Sequence, residues 1–197
     1  MNYLWAIVFL LVLIWSGINP KDYYTWLLEV LPAVIGAGLI LATHKRFPLT
    51  SLLFWLILAH CIVLMVGGHY TYAEVPLDVP LFDNLFGTER NNYDKVGHFF
   101  QGFVPAVLAR EILLRHNAVN GRGWLILFVI AICLGFSAFY ELIEWWVALL
   151  SDEAADSFLG TQGYIWDTQS DMFLALIGAI CALLLLSRWH DRQLAAL

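Results

Sequence analysis

Six long apolar segments constrain this chain more than any other feature of its sequence. About 20 apolar residues, at 1.5 Å per residue, cross a hydrocarbon core of roughly 30 Å. Hydrophobic residues make up 61% of the chain and charged residues only 13%, whereas a soluble domain has roughly 25% charged residues. The sequence therefore predicts an all-α membrane protein, a bundle of six transmembrane helices. The predicted spans cover residues 3–18, 23–43, 50–70, 94–115, 122–148 and 167–188.

Length and composition exclude several other classes of protein. The 197 residues leave no room for a separate soluble module, so we expect a single integral membrane domain over 1–197. The ten Lys and Arg residues form no basic patch, which argues against nucleic-acid binding. The first apolar segment lacks the basic start and the cleavage site of a secretory signal, so we interpret it as a retained span.

The basic residues predict the orientation in the membrane. Short loops rich in Lys and Arg stay on the cytoplasmic side. Both termini are therefore predicted to be cytoplasmic, and two acidic loops, at about 71–93 and 149–166, are predicted to face outward. The basic residues at the predicted cytoplasmic ends are Lys45, Arg46, Arg115, Arg122, Arg188 and Arg192.

Polar side chains inside three of the segments indicate a functional site. In the fourth segment Asp94, His98 and Gln101 are spaced by four and three residues, so they share one helix face. An ionisable group inside a bilayer costs at least about 2.5–3.5 kcal/mol, so several at one depth must pair, bind an ion or line water. We therefore predict that seven side chains meet in one outward-facing pocket. They are Asp94, His98, Gln101, Glu141, Glu144, Asp167 and Asp171.

Three further residues are weaker candidates for this site. His60, in the third segment, lies at a depth that can reach the cluster, while His69 falls on the opposite face of the same helix. Glu29, in the outer half of the second segment, is a candidate at the margin of the site. The remaining histidines lie at cytoplasmic ends and are predicted to be surface residues; they are His44, His116 and His190.

Simpler explanations exist for several of these residues. Asp94 can be the N-cap of the fourth helix with Lys95 extending to the headgroups, and Asp167 can cap the sixth. Glu141 and Glu144, about one turn apart, repel each other if both are ionised, so one holds a proton or a cation lies between them. Asp171 is deeper than a cap, which leaves a salt bridge or a site. Gly178, on the same face as Asp171, predicts close helix packing.

Three motifs in order resemble those of the YjdF-type family of small bacterial inner-membrane proteins. They are Tyr93-Asp94-Lys95-x-Gly97-His98-Phe99, Tyr140-Glu141-x-x-Glu144-Trp145, and Gly160-Thr161-Gln162-Gly163-x-x-Trp166-Asp167-x-x-x-Asp171-Met172. The resemblance covers nearly the whole chain. It implies a multi-pass protein of the inner membrane with both termini cytoplasmic, and it implies no reaction.

A looser resemblance is to the VanZ-like membrane proteins. Both have Asp-Lys-x-x-His-Phe, then an acidic helix, then an Asp followed by a glycine-bearing helix. Glu144 departs from that pattern, where Gln is expected. This resemblance implies work in the cell envelope. The matching positions are Asp94, Lys95, His98, Phe99, Glu141, Asp171 and Gly178.

Three functions compete on the sequence alone. The first is an enzyme that binds Mg, Mn or Zn through Asp94, His98, Glu141, Glu144, Asp167 and Asp171, with Glu141, Glu144 and His98 as catalytic groups. Because the outer loops are acidic, its substrate is predicted to be a lipid-like molecule arriving from the membrane. The second is a structural or partner-binding protein, for which no protein partner is indicated. The third is a cation or proton transporter.

Overall fold

The computed structural model describes residues 3–72, 74–76, 91–150 and 165–197. All regular secondary structure within these ranges is helical, which confirms the predicted all-α class. The bounds agree with the predicted segments to within a few residues at most ends. The helices are α1 (Tyr3–Ser16), α2 (Tyr23–Thr43), α3 (Ser51–Tyr70), α4 (Tyr93–Arg115), α5 (Arg122–Leu150) and α6 (Asp167–Leu194).

Four of the described helices are long and apolar enough to cross a membrane. These are α2, α3, α6 and α5 over Arg122–Val147. Helix α1 is apolar but has only 14 residues. Helix α4 has 23 residues and charged side chains near both ends. Four of the six predicted spans thus meet this criterion of length and composition, and for α1 and α4 a membrane crossing stays a prediction.

Helix α4 lies at the centre of the bundle. It packs against α3, α5 and α6. Helix α3 also packs against α1 and α2. Apolar side chains fill both sides of α3, and this packing keeps the polar faces of α4 away from lipid. One apolar cluster joins α1, α2 and α3 through Trp5, Phe9, Val30, Ala33, Leu58 and Met65. A second cluster joins α3, α4, α5 and α6 through Leu53, Val104, Val107, Val129, Cys133 and Ala179.

Helices α4 and α6 cross at very short range. A Cβ atom added at Gly178 would overlap the carbonyl oxygen of Phe99, and one added at Gly102 would overlap that of Ala175. Only glycine permits backbones to approach so closely. The predicted packing role of Gly178 is confirmed, and this contact sets the register of the two polar faces.

The starts of α4 and α6 differ from the prediction. The N-cap of α4 is Asn92, and that of α6 is Trp166, so neither Asp94 nor Asp167 is a cap. Both aspartates lie in the first helical turn, where a carboxylate is favoured by the helix dipole. Helix α2, by contrast, has an aspartate cap. The backbone N–H of Thr25 donates to Asp22 at 2.6 Å and lowers the pKa of that carboxyl group below its usual value.

Candidate functional site

Lys95 connects the first turns of α4 and α6. Its Nζ atom donates to Asp167 Oδ1 and to Asp171 Oδ1, both at 2.6 Å, and lies 3.7 Å from Asp94 Oδ2. The lysine is 4% exposed, so the predicted extension of its side chain to the headgroups is wrong. The side chain turns inward because α6 places two carboxylate acceptors, Asp167 and Asp171, within its reach. Lys95 thereby fixes the orientation of Asp171.

His98 lies between carboxylates from two helices. Its Nε2 atom is 3.3 Å from Asp94 Oδ1 and 3.8 Å from Asp171 Oδ2. One ligand atom each from Asp94, His98 and Asp171 lie within 4.8 Å of one another. His98 and Asp171 are buried, and Asp94 is partly exposed. Two carboxylates and an imidazole gathered in this way can hold a cation.

The other ring nitrogen of His98 faces Gln101 and α5. Its Nδ1 atom is 3.2 Å from Gln101 Oε1 and 4.0 Å from Glu141 Oε1. The Glu141 side chain is only 9% exposed, and its Oε1 atom has no hydrogen-bond partner among the described residues. A buried carboxylate oxygen without a donor is costly. The Glu141 carboxyl group has a hydrogen bond from Thr168, so Oε1 is the oxygen of this group that still requires a donor.

A second wall of the site comes from α2, α5 and the residues after α3. Tyr140 donates to Glu29 Oε2 at 3.5 Å, so this hydrogen bond joins α5 to α2. Glu144 lies within electrostatic range of Glu29 and Glu141. Burial raises the pKa of the Tyr72 phenol well above its usual value, and nearby Glu29 raises it further. Tyr72 thus stays protonated at the edge of an acidic wall.

The structure places six of the seven predicted side chains in one network of polar contacts, and it places Glu144 within electrostatic range of His98 and Glu141. Their individual roles stay predictions. Glu29, a marginal candidate in the sequence, contributes to the same site. His60 instead has its ring beside that of Phe100, with centroids 6.2 Å apart. His69 lies at the end of α3 and contacts the Ser16 carbonyl through Nδ1 at 3.0 Å. The glycine-rich turn at 160–163 is outside the described residues.

The site holds more acid than base. Against its acidic groups the described part of the chain supplies Lys95 and, when protonated, His98. Carboxylates crowded in a medium of low dielectric constant need protons or cations to balance them. The composition of the site therefore favours a bound cation over a bound anion. The six carboxyl groups are Glu29, Asp94, Glu141, Glu144, Asp167 and Asp171.

A second buried polar cluster, which the sequence did not predict, joins the other ends of α4 and α6. Glu111 is fully buried and accepts from the Thr50 hydroxyl at 2.7 Å and from His190 Nε2 at 3.0 Å. Arg110 Nη1 lies 2.9 Å from His190 Nδ1, and Arg110 also contacts Asp191. Because a guanidinium only donates, Nδ1 accepts and Nε2 carries the ring proton.

This cluster corrects the prediction that His190 is a surface residue, since its exposure is 0%. A signal was present in the sequence, because Arg110-Glu111 interrupts an apolar run and requires partners. Hydropathy did not identify His190, which lies at the basic end of α6. Every described member of the cluster has a partner, so its geometry indicates a structural connection between α3, α4 and α6.

Apolar packing separates the two polar clusters. His98 and Glu111 are 13 positions apart on α4, which corresponds to roughly 20 Å along the helix. Val104 and Val107 fill this interval and pack with Ala179 and Ala182 of α6. The described residues therefore place the acidic cluster around His98 at one end of the bundle.

These features define a multi-pass helical membrane protein with a buried carboxylate and histidine cluster between its helices. The chain belongs to the family described as "Predicted membrane protein (DUF2238)", whose profile matches residues 1–192. It is 54% identical over 189 residues to "Inner membrane protein YjdF" of Escherichia coli (strain K12), covering 96% of this chain and 90% of that protein.

These matches confirm the resemblance to the YjdF-type family and a location in the bacterial inner membrane. The likeness to VanZ-like proteins stays a prediction. No solved structure matches the chain.

Proposed function

We propose that this inner-membrane protein binds a divalent metal ion through Asp94, His98 and Asp171 and acts as an enzyme on a lipid or another cell-envelope molecule. The observation that supports the proposal is the convergence of three ligand atoms within 4.8 Å, drawn from two helices. Carboxylate oxygens with one imidazole suit Mg, Mn or Zn. Such an ion supplies a Lewis acid or an activated water.

Lys95 has a supporting role in this proposal. By donating to Oδ1 of Asp171 at 2.6 Å, it leaves Oδ2 of the same carboxylate directed toward His98. Hydrogen bonds of this kind orient metal ligands and tune their basicity. Asp167, which shares the same ammonium group, helps to hold the lysine in place.

Glu141 is the proposed general base. Its Oε1 atom is buried, has no described hydrogen-bond donor and lies 4.0 Å from His98 Nδ1. It can therefore accept a proton from a water or hydroxyl group bound beside His98. Glu144, one turn further along α5 and within electrostatic range of Glu141, is the second proposed catalytic carboxyl group.

The geometry favours an enzyme over a transporter. A relay needs titratable groups along the whole path, whereas about three turns of apolar packing separate His98 from Glu111. A structural role is the second candidate, and the Lys95 ion pairs favour it, because buried ion pairs can specify helix packing. The two functions differ in whether the site takes up metal.

Metal binding tests the proposal directly. We expect purified full-length protein to bind about one Mn²⁺ per chain in an equilibrium titration followed by electron paramagnetic resonance. Asp94→Asn should weaken that binding at least tenfold, because it removes one of three ligands. Asp94 is chosen because its side chain is 23% exposed, so the variant is expected to fold.

The matched control is Glu74→Gln, which neutralises an exposed carboxylate paired with Lys21 outside the site. It should bind Mn²⁺ as the unaltered protein does. Absence of Mn²⁺ binding by the unaltered protein, or equal binding by the Asp94 variant, would leave the structural role as the better explanation.

A further inference from the structure

After the metal ligands are assigned, the carboxyl groups on the α2 and α5 side of the site, here called the acidic wall, have no assigned ligand. It consists of Glu29, Glu141 and Glu144, with Tyr72 and Tyr140 among them. A divalent ion and Lys95 together supply three positive charges against six carboxyl groups. The wall therefore has acceptors for further hydrogen-bond donors and a charge that suits another cation.

We propose that this wall binds an ammonium group of the substrate, and that the substrate is an amphiphile with a positively charged amine. The inference rests on the proposed function for the identity of the site, and it adds the chemical class of its ligand. An ammonium group has three donors and one charge, so it can bridge acceptors that lie on different helices.

Two buried atoms without partners indicate a ligand at this wall. Glu141 Oε1 has no described donor although its side chain is 91% buried, and the fully buried Ser137 hydroxyl, one turn away on α5, also has no described partner. The hydroxyl groups of Ser170 and Ser187 bond to carbonyl oxygens in their own helix, whereas the Thr25 hydroxyl on α2 is a third buried atom without a partner among the described residues. Atoms of a bound molecule would provide hydrogen-bond partners for Glu141 Oε1 and the Ser137 hydroxyl.

The spacing of the wall fits an amine better than a second metal ion. Among the described residues only Asp94, His98 and Asp171 bring three ligand atoms close enough for a metal. Glu29 instead accepts hydrogen bonds from two tyrosine hydroxyls, that of Tyr140 at 3.5 Å and that of Tyr72, and a charged donor would form a stronger hydrogen bond with this carboxylate.

The position of the wall indicates a ligand from the membrane. Helix α2 packs along α3, and α5 packs along α4 and α6. The side chain of Tyr140 reaches from α5 to Glu29 of α2, so the wall lies between these two helices. The lipid-facing surfaces of both helices expose large apolar residues, among them Leu27, Leu31, Phe139 and Leu142. An alkyl chain can follow such surfaces while the polar group enters the site.

Binding of simple amines to the full-length protein tests the inference. Dodecylammonium should raise the thermal unfolding midpoint of the purified protein, and dodecanol, which has the same chain without the charge, should not. Glu29→Gln should weaken the dodecylammonium effect at least tenfold in concentration, with Glu144→Gln as a second variant if the first fails to fold. Equal effects of amine and alcohol, or two variants that respond like the unaltered protein, would overturn the inference.

Two further arms separate this inference from the proposed function and identify the source of the amine. Asp94→Asn should lose Mn²⁺ but retain dodecylammonium, while Glu29→Gln should retain Mn²⁺. Mn²⁺ binding without any amine effect refutes only the ammonium site, and the reverse result refutes only the metal site. If ethylammonium raises the unfolding midpoint as much as dodecylammonium does, the ammonium site is supported, but its ligand is a water-soluble amine and not a membrane amphiphile.

Discussion

At the scale of single residues, Lys95 controls the stability of the site. Its ammonium group is buried between Asp167 and Asp171, so replacing it leaves two carboxylates in the interior without their cation. Removal of one partner from a buried ion pair costs about 3–5 kcal/mol. We therefore expect Lys95→Met to lower the free energy of unfolding by that amount, measured by denaturant unfolding in detergent.

The control for this prediction is Lys21→Met. Lys21 also forms an ion pair, with Glu74, but both side chains are about half exposed, and an exposed pair contributes about 0–1 kcal/mol. If the two variants lose the same stability, the buried pair is not what holds the first turns of α4 and α6 together.

Residue identity and spacing predicted which side chains share a face, but not which rotamer each adopts. The spacing of Asp94, His98 and Gln101 required one common face, and the cost of charge in lipid required partners for it. Lys95, adjacent in sequence, has a side chain long enough to reach either the interface or the interior. Only the position of α6, fixed by the Gly102 and Gly178 contacts, determined that it turns inward.

At the scale of helices, the crossing of α4 and α6 determines the geometry of the site. We expect Gly178→Ala to destabilise the protein by about 1–3 kcal/mol, because the added Cβ would overlap the Phe99 carbonyl and must push the helices apart. The same displacement should weaken Mn²⁺ binding, since Asp94 and Asp171 belong to different helices.

Gly38→Ala provides the comparison. A Cβ atom at Gly38 of α2 meets nothing within 4 Å, so this variant should be unchanged or up to about 1 kcal/mol more stable. Thermal unfolding midpoints and Mn²⁺ titrations of the two variants measure both effects. Normal metal affinity in the Gly178 variant would show that the ligands do not depend on this crossing.

Helix existence was easier to predict than helix ends. Long apolar runs have few alternatives in a membrane, because every backbone polar group must be satisfied within the segment. Whether an aspartate caps a helix depended on which donor its carboxylate binds. Asp22 accepts from a backbone N–H and caps α2, whereas Asp167 accepts from the Lys95 ammonium group of α4. Contacts between helices that are distant in sequence determined where these helices begin, and such contacts cannot be read from the sequence pattern.

At the scale of the whole molecule, two polar clusters occupy opposite ends of the α4 and α6 pair. Among the described residues, the cluster around His98 has more acid than base and an acceptor without a partner, while the polar groups around Glu111 and His190 are hydrogen-bonded. One end thus has the features of a binding site and the other those of a structural connection. Which end faces outward determines what can reach the site.

The distribution of basic residues predicts that the site faces the periplasm and that α4 crosses the membrane. If so, the segments before and after α4 lie on opposite sides. We expect Glu74→Cys to react with a membrane-impermeant maleimide in intact spheroplasts, and Asn117→Cys to react only after lysis. Both changes would be made in full-length protein whose native cysteines, Cys61, Cys133 and Cys181, are replaced by alanine.

Lys45→Cys, in the loop between α2 and α3 that is predicted to be cytoplasmic, serves as the reference for that side, because its position depends on α2 and α3, which qualify as spans by length and composition. It should label like Asn117→Cys. Labelling of Glu74→Cys and Asn117→Cys on the same side would contradict a crossing by α4. Because Asp94 and Glu111 lie near opposite ends of that helix, such a result would place both polar clusters on one side of the membrane and remove the basis for a site reached only from outside.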